Sequence, residues 1–500
     1  MSRSRWSCIV VIVLLALMAP ISAAPYDTTR TPIQHVVIVM MENHSFDNMF
    51  GTYPAVAGGT NSAITSQIQG VTNLLSVSKP PALTAVPDGT FSTPNPTEGY
   101  GPYHADWNNG RMDGFAANSG IQSMTYFTSS QLAVEWDWAE EYAVGNMYFA
   151  TYLSETSPNR LMSLAAYTPV TNDEGPPPFI PVNQSIFAEL SQLGVGWGYY
   201  VNNPSGVPYP LNYFSGIDMY SKNVGSETAF FQELSNGSLP AVSWVMPVGG
   251  GSSGISQHPS DNVTYGEMWL LDAVNHVMSS RYWNSTAIFV TYDEGGGYYD
   301  QVPPPTLDGV QFGFRVPLIV ISPYAKENYV SNTVLNHASL LAFIDYNWNL
   351  PPLNKLVADS NIPLDLFDFS HAYSGGEALR QPLLLNGSSS FPIPPQIPFG
   401  ELPYSRSGSS NVTLASMNVS PYVRTNSSYT PPYESPAAAI AVGIALISLL
   451  IITGRVRKSK RVGRRAATST MEEESKKQMV LGSESSVFSL TMLSRIASQV

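Results

Sequence analysis

The 500-residue chain contains a single cysteine, Cys8, and only 12% of its residues are charged. One cysteine excludes a disulfide framework, a zinc site built on cysteine and a dithiol redox couple. Average soluble domains carry about 25% charged residues, so neutral polar groups must cover much of this surface. Lys and Arg number 24 against 37 Asp and Glu, which argues against nucleic acid as a partner because phosphate binding needs clustered cations.

Apolar residues are plentiful by contrast, at 43% of the chain, and aromatic residues make up 11%. This composition supplies a sizeable buried core and excludes disorder over the whole chain. The length allows one large or two medium domains.

The amino terminus has the layout of a secretory signal, which we predict over residues 1–24. Arg3 and Arg5 precede an apolar stretch at 8–17, and small residues at 22–24 form the expected cleavage site. The alternative is an uncleaved amino-terminal anchor. Under either interpretation the chain that follows is exported.

A second apolar run, at 437–453, contains no charged residue and is followed at once by seven Lys and Arg residues between 455 and 465. The run is at the short end of what spans a bilayer, and the basic cluster places residues 454–500 in the cytoplasm. We therefore predict one transmembrane helix at 437–453. A buried core helix is the alternative, which the adjacent cations disfavour.

This layout divides the charge unevenly. Residues 454–500 hold 10 cations and 4 acids, whereas the exported part holds 12 cations and 33 acids.

We predict an extended stalk at 395–435, which is rich in Ser, Asn and Pro and lacks hydrophobic periodicity. Asn-x-Ser/Thr sequons indicate a glycosylated exterior; they begin at Asn43, Asn183, Asn236, Asn262, Asn284, Asn386, Asn411, Asn418 and Asn426. The predicted location is the cell membrane, single-pass, with the globular domain extracellular.

The globular domain is predicted over 31–394, with an α/β fold and a mainly parallel sheet flanked by helices. Apolar, β-branched runs at 34–41, 285–292 and 316–321 are typical of buried parallel strands. The segment 266–279, which lies between the first and the second of these runs, has the apolar spacing of a helix. Ligand sites in such sheets lie beyond the carboxyl ends of the strands.

Oxygen-bearing side chains follow two of these strands directly. Glu42 and Asn43 come after the first strand, and Asp293 and Glu294 come after the second. Carboxylate and amide oxygens suit a hard divalent cation, so the two clusters can converge on one metal ion. The alternative is structural: a helix cap made by Asn43 or Ser45 and a glycine-rich turn after Asp293.

Several ordered motifs carry a more specific signal. They are HVVIVMMENHSFDNMFGTYP from residue 35, SETSPNRL at 154–161, QHPSDNVTYGE at 257–267, TYDEGGGYYDQVPPP at 291–305, and GFRVPLIVISPYAK followed by NHASLLAFIDYNW. In this order they resemble the phosphoesterase family of bacterial phospholipases C and acid phosphatases, over residues 33 to about 350. The resemblance implies an alkaline-phosphatase-like core and hydrolysis of phosphate esters.

The resemblance also implies roles for individual residues. One divalent metal ion, of unspecified identity, would be held by Glu42, Asn43, Asp293 and Glu294 together with the nucleophile Thr156. Ser157 is the alternative nucleophile. His104 and His258 would protonate the leaving group or contact phosphate, and Asn159, Arg160 and His337 would contact the substrate phosphate. Arg160 has a second interpretation as a buried structural ion, and His104 and His258 have second interpretations as a packed and a surface histidine.

The sequence departs from the family where Gly295 and Gln301 replace histidines that the family usually carries. This leaves two hypotheses: a phosphoesterase acting on phosphomonoesters or on phospholipid head groups, and a catalytically impaired glycosylated surface protein with a structural or adhesive role. A sulfatase-like hydrolase is disfavoured because Cys8 lies in the signal and no sulfatase motif is present.

Overall fold

The computed structural model describes residues 29–53, 83–175, 179–202, 204, 206–247, 254–370 and 380–385. The predicted signal, stalk, transmembrane helix and tail lie outside these residues. Within them, no helix has both the length and the apolar character needed to cross a membrane.

An eight-stranded sheet organises the described part. In chain order its strands are β1 (His35–Met41), β2 (Ala143–Gly145), β3 (Trp197–Val201), β4 (Val224–Ser226), β5 (Val242–Met246), β6 (Thr286–Tyr292), β7 (Leu318–Ile321) and β8 (Tyr329–Ser331). The spatial order is β8-β2-β7-β6-β1-β5-β3-β4. Strands β1 and β6, which correspond to the predicted runs at 34–41 and 285–292, are therefore neighbours near the middle of the sheet.

The direction of the strands confirms a mainly parallel sheet with one exception. The pairs β6–β1, β1–β5, β5–β3, β3–β4 and β2–β8 are parallel, whereas β7 is antiparallel to both β6 and β2. The prediction that the run at 316–321 is a parallel strand was wrong. A parallel return needs a crossover, usually a helix, and the connection 293–317 contains only a short antiparallel pair, Thr306–Leu307 with Val310–Gln311.

Helices account for most of the remaining regular structure. The α-helices are α1 (Phe46–Phe50), α2 (Tyr100–Trp107), α3 (Phe115–Asn118), α4 (Ala133–Glu141), α5 (Thr156–Ala165), α6 (Ile186–Leu193), α7 (Glu227–Asn236), α8 (Val263–Met278), α9 (His337–Trp348) and α10 (Lys355–Asp359). The helix predicted at 266–279 is α8, which begins three residues earlier because Asn262 caps it. Helix α4 packs on β7 and β2, and α6 and α7 pack on β3.

Short elements complete the described part. Two-residue parallel pairs join Thr84–Ala85 to Thr125–Tyr126, Tyr148–Phe149 to Leu335–Asn336, and Ile180–Pro181 to Phe214–Ser215. Turns of 3₁₀-helix lie at Asn108–Gly110, Ile121–Met124, Val182–Gln184, Leu211–Tyr213, Ile217–Asn223, Trp283–Ser285 and Pro363–Leu366.

The pairing of β1 with β6 brings the two predicted clusters together. The register aligns Met41 with Tyr292, the last residue of each strand. One further backbone bond continues the ladder, since the Asp293 N–H donates to Met41 O at 3.2 Å. Glu42 and Asp293 therefore leave the sheet side by side at its carboxyl edge, as the sequence predicted.

Buried carboxyl groups are a second feature of the core. Asp345 on α9 and Glu189 on α6 each have one buried oxygen without a hydrogen-bond partner. Burial and the charge of Glu189 raise the pKa of Asp345 to about 8, and burial raises the pKa of Glu189 to about 7. A carboxyl whose pKa is higher in the folded state takes up protons on folding. Its contribution to stability is therefore lost as pH rises from its ordinary value near 4.

We predict that Asp345→Asn flattens the pH dependence of stability between pH 5 and pH 8. Loss of one proton uptake removes up to about 1.4 kcal/mol of slope per pH unit, so the variant gains stability relative to the wild type at pH 8. The measurement is denaturant unfolding of the full chain across this range. Asp359→Asn is the control, because Asp359 pairs with Lys355 at the surface. Equal slopes for Asp345→Asn and the wild type would contradict the prediction.

Candidate active site

The loop after β1 places Glu42 and Asn43 in a fixed backbone conformation. Asn43 has a left-handed φ of 61°, and its N–H donates to Asp293 Oδ1 at 3.1 Å. Gly296 passes so close that a Cβ there would lie 2.0 Å from Asn43 O. Ser45, rather than Asn43, caps α1, because its Oγ accepts the Asn48 N–H at 3.1 Å. The side chain of Asn43 is therefore left for the site.

Helix α5 begins at Thr156, which brings this hydroxyl to the same place. Thr156 is buried, and its Oγ1 lies 3.4 Å from Asn43 Oδ1. The first N–H groups of a helix favour anions, so a phosphate group next to Thr156 would meet a favourable field. Ser157 is held elsewhere: its Oγ lies 2.9 Å from Tyr209 Oη. The two candidate nucleophiles thus have different neighbours: Thr156 lies next to Asn43, and Ser157 lies next to Tyr209.

Arg160, one turn along α5 from Thr156, joins the two strand ends. Its Nη2 donates to Glu42 Oε1 at 2.8 Å, and its Nε donates to Asp293 Oδ2 at 3.0 Å. All three side chains are fully buried. Burial lowers the pKa of Arg160, but the charges of Asp293 and Glu42 outweigh it and raise the pKa overall. Arg160 thus has the geometry of the buried structural ion, the second interpretation of its sequence.

The carboxyl group of Glu294 accepts hydrogen bonds at only one of its two oxygens. Its Oε2 accepts from Tyr103 Oη at 2.7 Å and from the Gly296 N–H at 2.6 Å. Its Oε1 is buried without a hydrogen-bond partner. Burial, and then the charges of Glu98 and Asp293, hold the pKa of Glu294 well above its ordinary value. A buried oxygen in negative surroundings suits a cation.

The donor set fits a hard divalent cation on chemical grounds. Among the described residues, no three His, Cys, Asp or Glu side chains are grouped so as to hold a metal ion by themselves. The predicted set, however, also includes the amide oxygen of Asn43 and the hydroxyl of Thr156, which lie next to each other. The free Glu294 Oε1 and the all-oxygen chemistry match the preference of Mg²⁺, Mn²⁺ or Ca²⁺.

His258 lies within electrostatic reach of this cluster. Burial raises the pKa of Asp293, and the charges of Arg160 and His258 oppose that shift. Burial also raises the pKa of Glu98, against the hydrogen bond from Asn43 and the charge of His258. The Nδ1 atom of His258 lies 2.5 Å from Pro259 O, in its own loop. His258 therefore lies in the loop that precedes α8, near enough for its charge to act on Asp293 and Glu98.

Gln257 is held by hydrogen bonds in the loop that precedes α8. It has a left-handed φ of 64°, and its Nε2 donates to Val263 O at 3.1 Å. Its Oε1 accepts a hydrogen bond from the Tyr292 hydroxyl, and its backbone carbonyl accepts from His44 Nε2 at 2.8 Å. These three hydrogen bonds thus fix the residue that immediately precedes His258.

The other predicted histidines have different surroundings. His104 lies on α2, with Nδ1 2.8 Å from Tyr100 O and its ring packed on Tyr100 and Trp107. His337 is buried, donates from Nε2 to Asp293 O at 2.7 Å and accepts at Nδ1 from Tyr148 Oη at 2.9 Å. Nε2 of His337 therefore holds the backbone of Asp293, and Nδ1 ties the ring to Tyr148.

Asn159 likewise has backbone partners. Its Nδ2 donates to Tyr152 O, Ser154 O and Glu155 O, and its Oδ1 accepts the Tyr152 N–H at 2.8 Å. These bonds use the amide to shape the loop that leads into α5. The structure thus shows Asn159 bonded to Tyr152, Ser154 and Glu155, and the phosphate contact implied by the resemblance stays a prediction.

Two residues of the site were missed by the sequence analysis. Glu98 accepts a hydrogen bond from Asn43 Nδ2 at 2.9 Å, and Tyr103 contacts Glu294. Both lie in or next to α2, in a stretch without periodic apolar spacing. Their contacts span 55 and 191 residues of sequence, so no local signal was available.

The sequon at Asn43 provides a test of the site. Asn43 is fully buried and its Nδ2 is bonded to Glu98, so it has no room for a glycan. We predict that glycopeptide mass spectrometry finds this asparagine unmodified, while exposed Asn236 is the comparison sequon in the same sample. Occupancy at Asn43 would rule out its role as a ligand.

Comparison with known proteins supports the resemblance seen in the sequence. The non-hemolytic phospholipase C of Burkholderia pseudomallei is 29% identical over 402 residues, covering 64% of this chain and 56% of that protein. Phospholipase C B of Mycobacterium tuberculosis is 27% identical over 402 residues, covering 66% of this chain and 76% of that protein. The chain thus spans just over half the length of the Burkholderia relative.

Solved structures show a more distant similarity. A protein of the alkaline phosphatase superfamily from Vibrio parahaemolyticus matches 63% of this chain and 82% of its own, with 12% identity and a TM-score of 0.31. The lipoteichoic acid synthase LtaP from Listeria monocytogenes matches 66% of this chain and 76% of its own, with 8% identity and a TM-score of 0.35.

The sequence model of one family matches residues 33–351, more than half of the chain and the whole segment from β1 to the end of α9. The match includes the residues that meet at the carboxyl edge of the sheet. This chain belongs to the Phosphoesterase family.

Proposed function

We propose that the chain is an exported, membrane-anchored phosphoesterase that uses Thr156 as its nucleophile and requires one divalent metal ion. The observation that carries the proposal is the position of the Thr156 hydroxyl, 3.4 Å from Asn43 Oδ1 at the amino end of α5. Family membership and relatives named phospholipase C support phosphate-ester hydrolysis as the reaction.

The chemistry follows from the groups around Thr156. Its Oγ1 attacks phosphorus, the new P–O bond forms as the ester P–O bond breaks, and the departing alcohol takes a proton. Water then cleaves the phosphothreonine and regenerates the hydroxyl. When bound, the divalent cation lowers the pKa of the hydroxyl and offsets charge on the phosphoryl oxygens. Glu42, Asn43, Asp293 and Glu294 would hold it.

His258 is the better placed of the two proposed proton donors. Its charge acts on Asp293 and Glu98, and three hydrogen bonds hold Gln257, the residue before it. A positioned imidazole within reach of the leaving oxygen contributes typically 10²–10⁴-fold to such a step. His104 lies on the helix that carries Tyr103 to Glu294, and we assign it to the rim of the site.

The proposed substrates are phosphate monoesters or phospholipid head-group esters. Relatives named phospholipase C favour the second. The proposed anchor at 437–453 would hold the domain at the outer face of the membrane, where such lipids are exposed. Its hydrophobicity and the cations that follow it support this arrangement.

The alternative, a catalytically impaired surface protein, draws on Gly295 and Gln301. A Cβ at Gly295 would lie 3.3 Å from the Phe314 side chain, so a histidine there would require this ring to move. The Gln301 N–H donates to Asp47 Oδ2 at 2.7 Å, which preserves the loop without the family imidazole.

We predict that Thr156→Ala lowers kcat for an aryl phosphate by at least about 10³-fold, because the group that forms the covalent bond is removed. Ser157→Ala is the matched control, since the Ser157 hydroxyl contacts Tyr209 and not the cluster. It should stay within about tenfold of the wild type. Phosphomonoesters, phosphodiesters and phospholipids should be assayed in parallel. Unchanged turnover by Thr156→Ala would reject this mechanism.

We also predict one tightly bound divalent ion per chain, measured by elemental analysis of the purified full chain. Asp293→Asn should lose it, because the variant removes a carboxylate charge from the donor set and breaks the ion pair with Arg160. Asp300→Asn, which disrupts a separate buried pair with Arg315, controls for loss of folding. A folded wild-type chain without metal would favour the structural alternative.

A further inference from the structure

The amide of Asn43 can point in two ways, and its orientation matters for the site. The oxygen and nitrogen ends of an asparagine side chain are nearly equal in shape, so packing alone does not choose between them. In one orientation Oδ1 faces Thr156, and in the other an NH₂ group does. Only the first presents an acceptor to the Thr156 hydroxyl and a ligand oxygen to a cation.

The backbone of Asn43 cannot adjust to compensate. Its N–H is bonded to Asp293 Oδ1, its φ is 61°, and Gly296 packs against its carbonyl. The backbone is therefore held, and the fully buried side chain is left with the rotation that exchanges the two ends of its amide.

The carboxylate of Glu98 determines which of the two orientations the Asn43 amide adopts. Glu98 Oε1 accepts from Asn43 Nδ2 at 2.9 Å, and an ionised carboxyl group has no proton to donate. It can therefore bond only the NH₂ end. With the nitrogen held by Glu98, Oδ1 lies 3.4 Å from Thr156 Oγ1. The reversed amide would set Oδ1 against Glu98 Oε1 and lose that hydrogen bond, and it would turn an NH₂ group instead of a ligand oxygen towards Thr156.

We propose that Glu98 is a positioning residue that orients the Asn43 amide towards Thr156 and the metal ion. Glu98 lies outside the motifs that carry the family resemblance and reaches the site from the segment just before α2. The inference rests on the proposed metal-dependent function and adds to it a residue that acts through Asn43, without touching the reacting atoms.

The test is Mn²⁺ binding to the purified full chain by isothermal titration calorimetry, with kcat/KM for an aryl phosphate as a second readout. Glu98→Gln keeps the size of the side chain but presents either a donor or an acceptor to Asn43. Loss of a group that orients a ligand typically costs 10–100-fold in metal affinity, so we expect the Mn²⁺ dissociation constant to rise at least about tenfold.

Glu155→Gln is the matched control. Glu155 is a nearby carboxylate whose charge also acts on Glu98, but its Oε1 accepts the Asp173 N–H and does not bond Asn43. We expect its Mn²⁺ affinity to stay within about threefold of the wild type. Equal losses in Glu98→Gln and Glu155→Gln would show a general charge effect and would overturn the proposal, as would unchanged affinity in Glu98→Gln.

A double variant that exchanges donor and acceptor between residues 43 and 98 tests whether misfolding accounts for weaker Mn²⁺ binding. In the Asn43→Asp background residue 43 can only accept, and the glutamine of Glu98→Gln can donate to it. Adding Glu98→Gln there should weaken Mn²⁺ binding no more than about twofold. A loss as large as in the wild-type background would contradict an orienting role.

If the wild type itself binds no Mn²⁺ or other divalent ion, the proposed function fails, whereas wild-type binding with an unaffected Glu98→Gln variant defeats only this inference.

Discussion

The buried guanidinium of Arg160 is the contact on which the site depends. It bonds Glu42 after β1 and Asp293 after β6, and it lies one turn from Thr156 on α5. The sheet brings the two carboxylates side by side, and Arg160 fixes the helix against them. Breaking a buried ion pair by removing one partner costs about 3–5 kcal/mol. The same contact therefore holds the fold at this edge and sets the distance from Thr156 to its neighbours.

A second arginine repeats the arrangement farther along the same two loops. Arg315 bonds Asp47, which follows β1, and Asp300, which follows β6, and it also reaches Asn146. Each loop is thus fastened twice by a cation from a different part of the chain. This explains how long connections rich in glycine and proline keep polar side chains in a fixed position without regular secondary structure.

Much of this could be predicted from the sequence, because strands buried on both faces are continuous apolar runs and because the carboxyl ends of parallel strands share one edge. These rules were enough to bring Glu42 next to Asp293. They could not give the direction of β7, since an apolar run looks the same whether the strand is parallel or antiparallel. Glu98 could not be found either: its partner Asn43 is 55 residues away, and nothing in the local pattern records such a contact.

Because β7 runs antiparallel to β6, the segment before β7 lies at the carboxyl edge of the sheet and the turn after it lies at the opposite edge. Arg315 precedes this strand and lies on the side of Thr156, whereas the turn that follows Ile321 emerges at the opposite edge. Glu327, in that turn, has a side chain that is 68% exposed. A biotin or surface tether attached at residue 327 would therefore hold the domain with the edge that carries Thr156 facing away from the support, so that large or vesicle-borne test compounds could reach this edge in an immobilised assay.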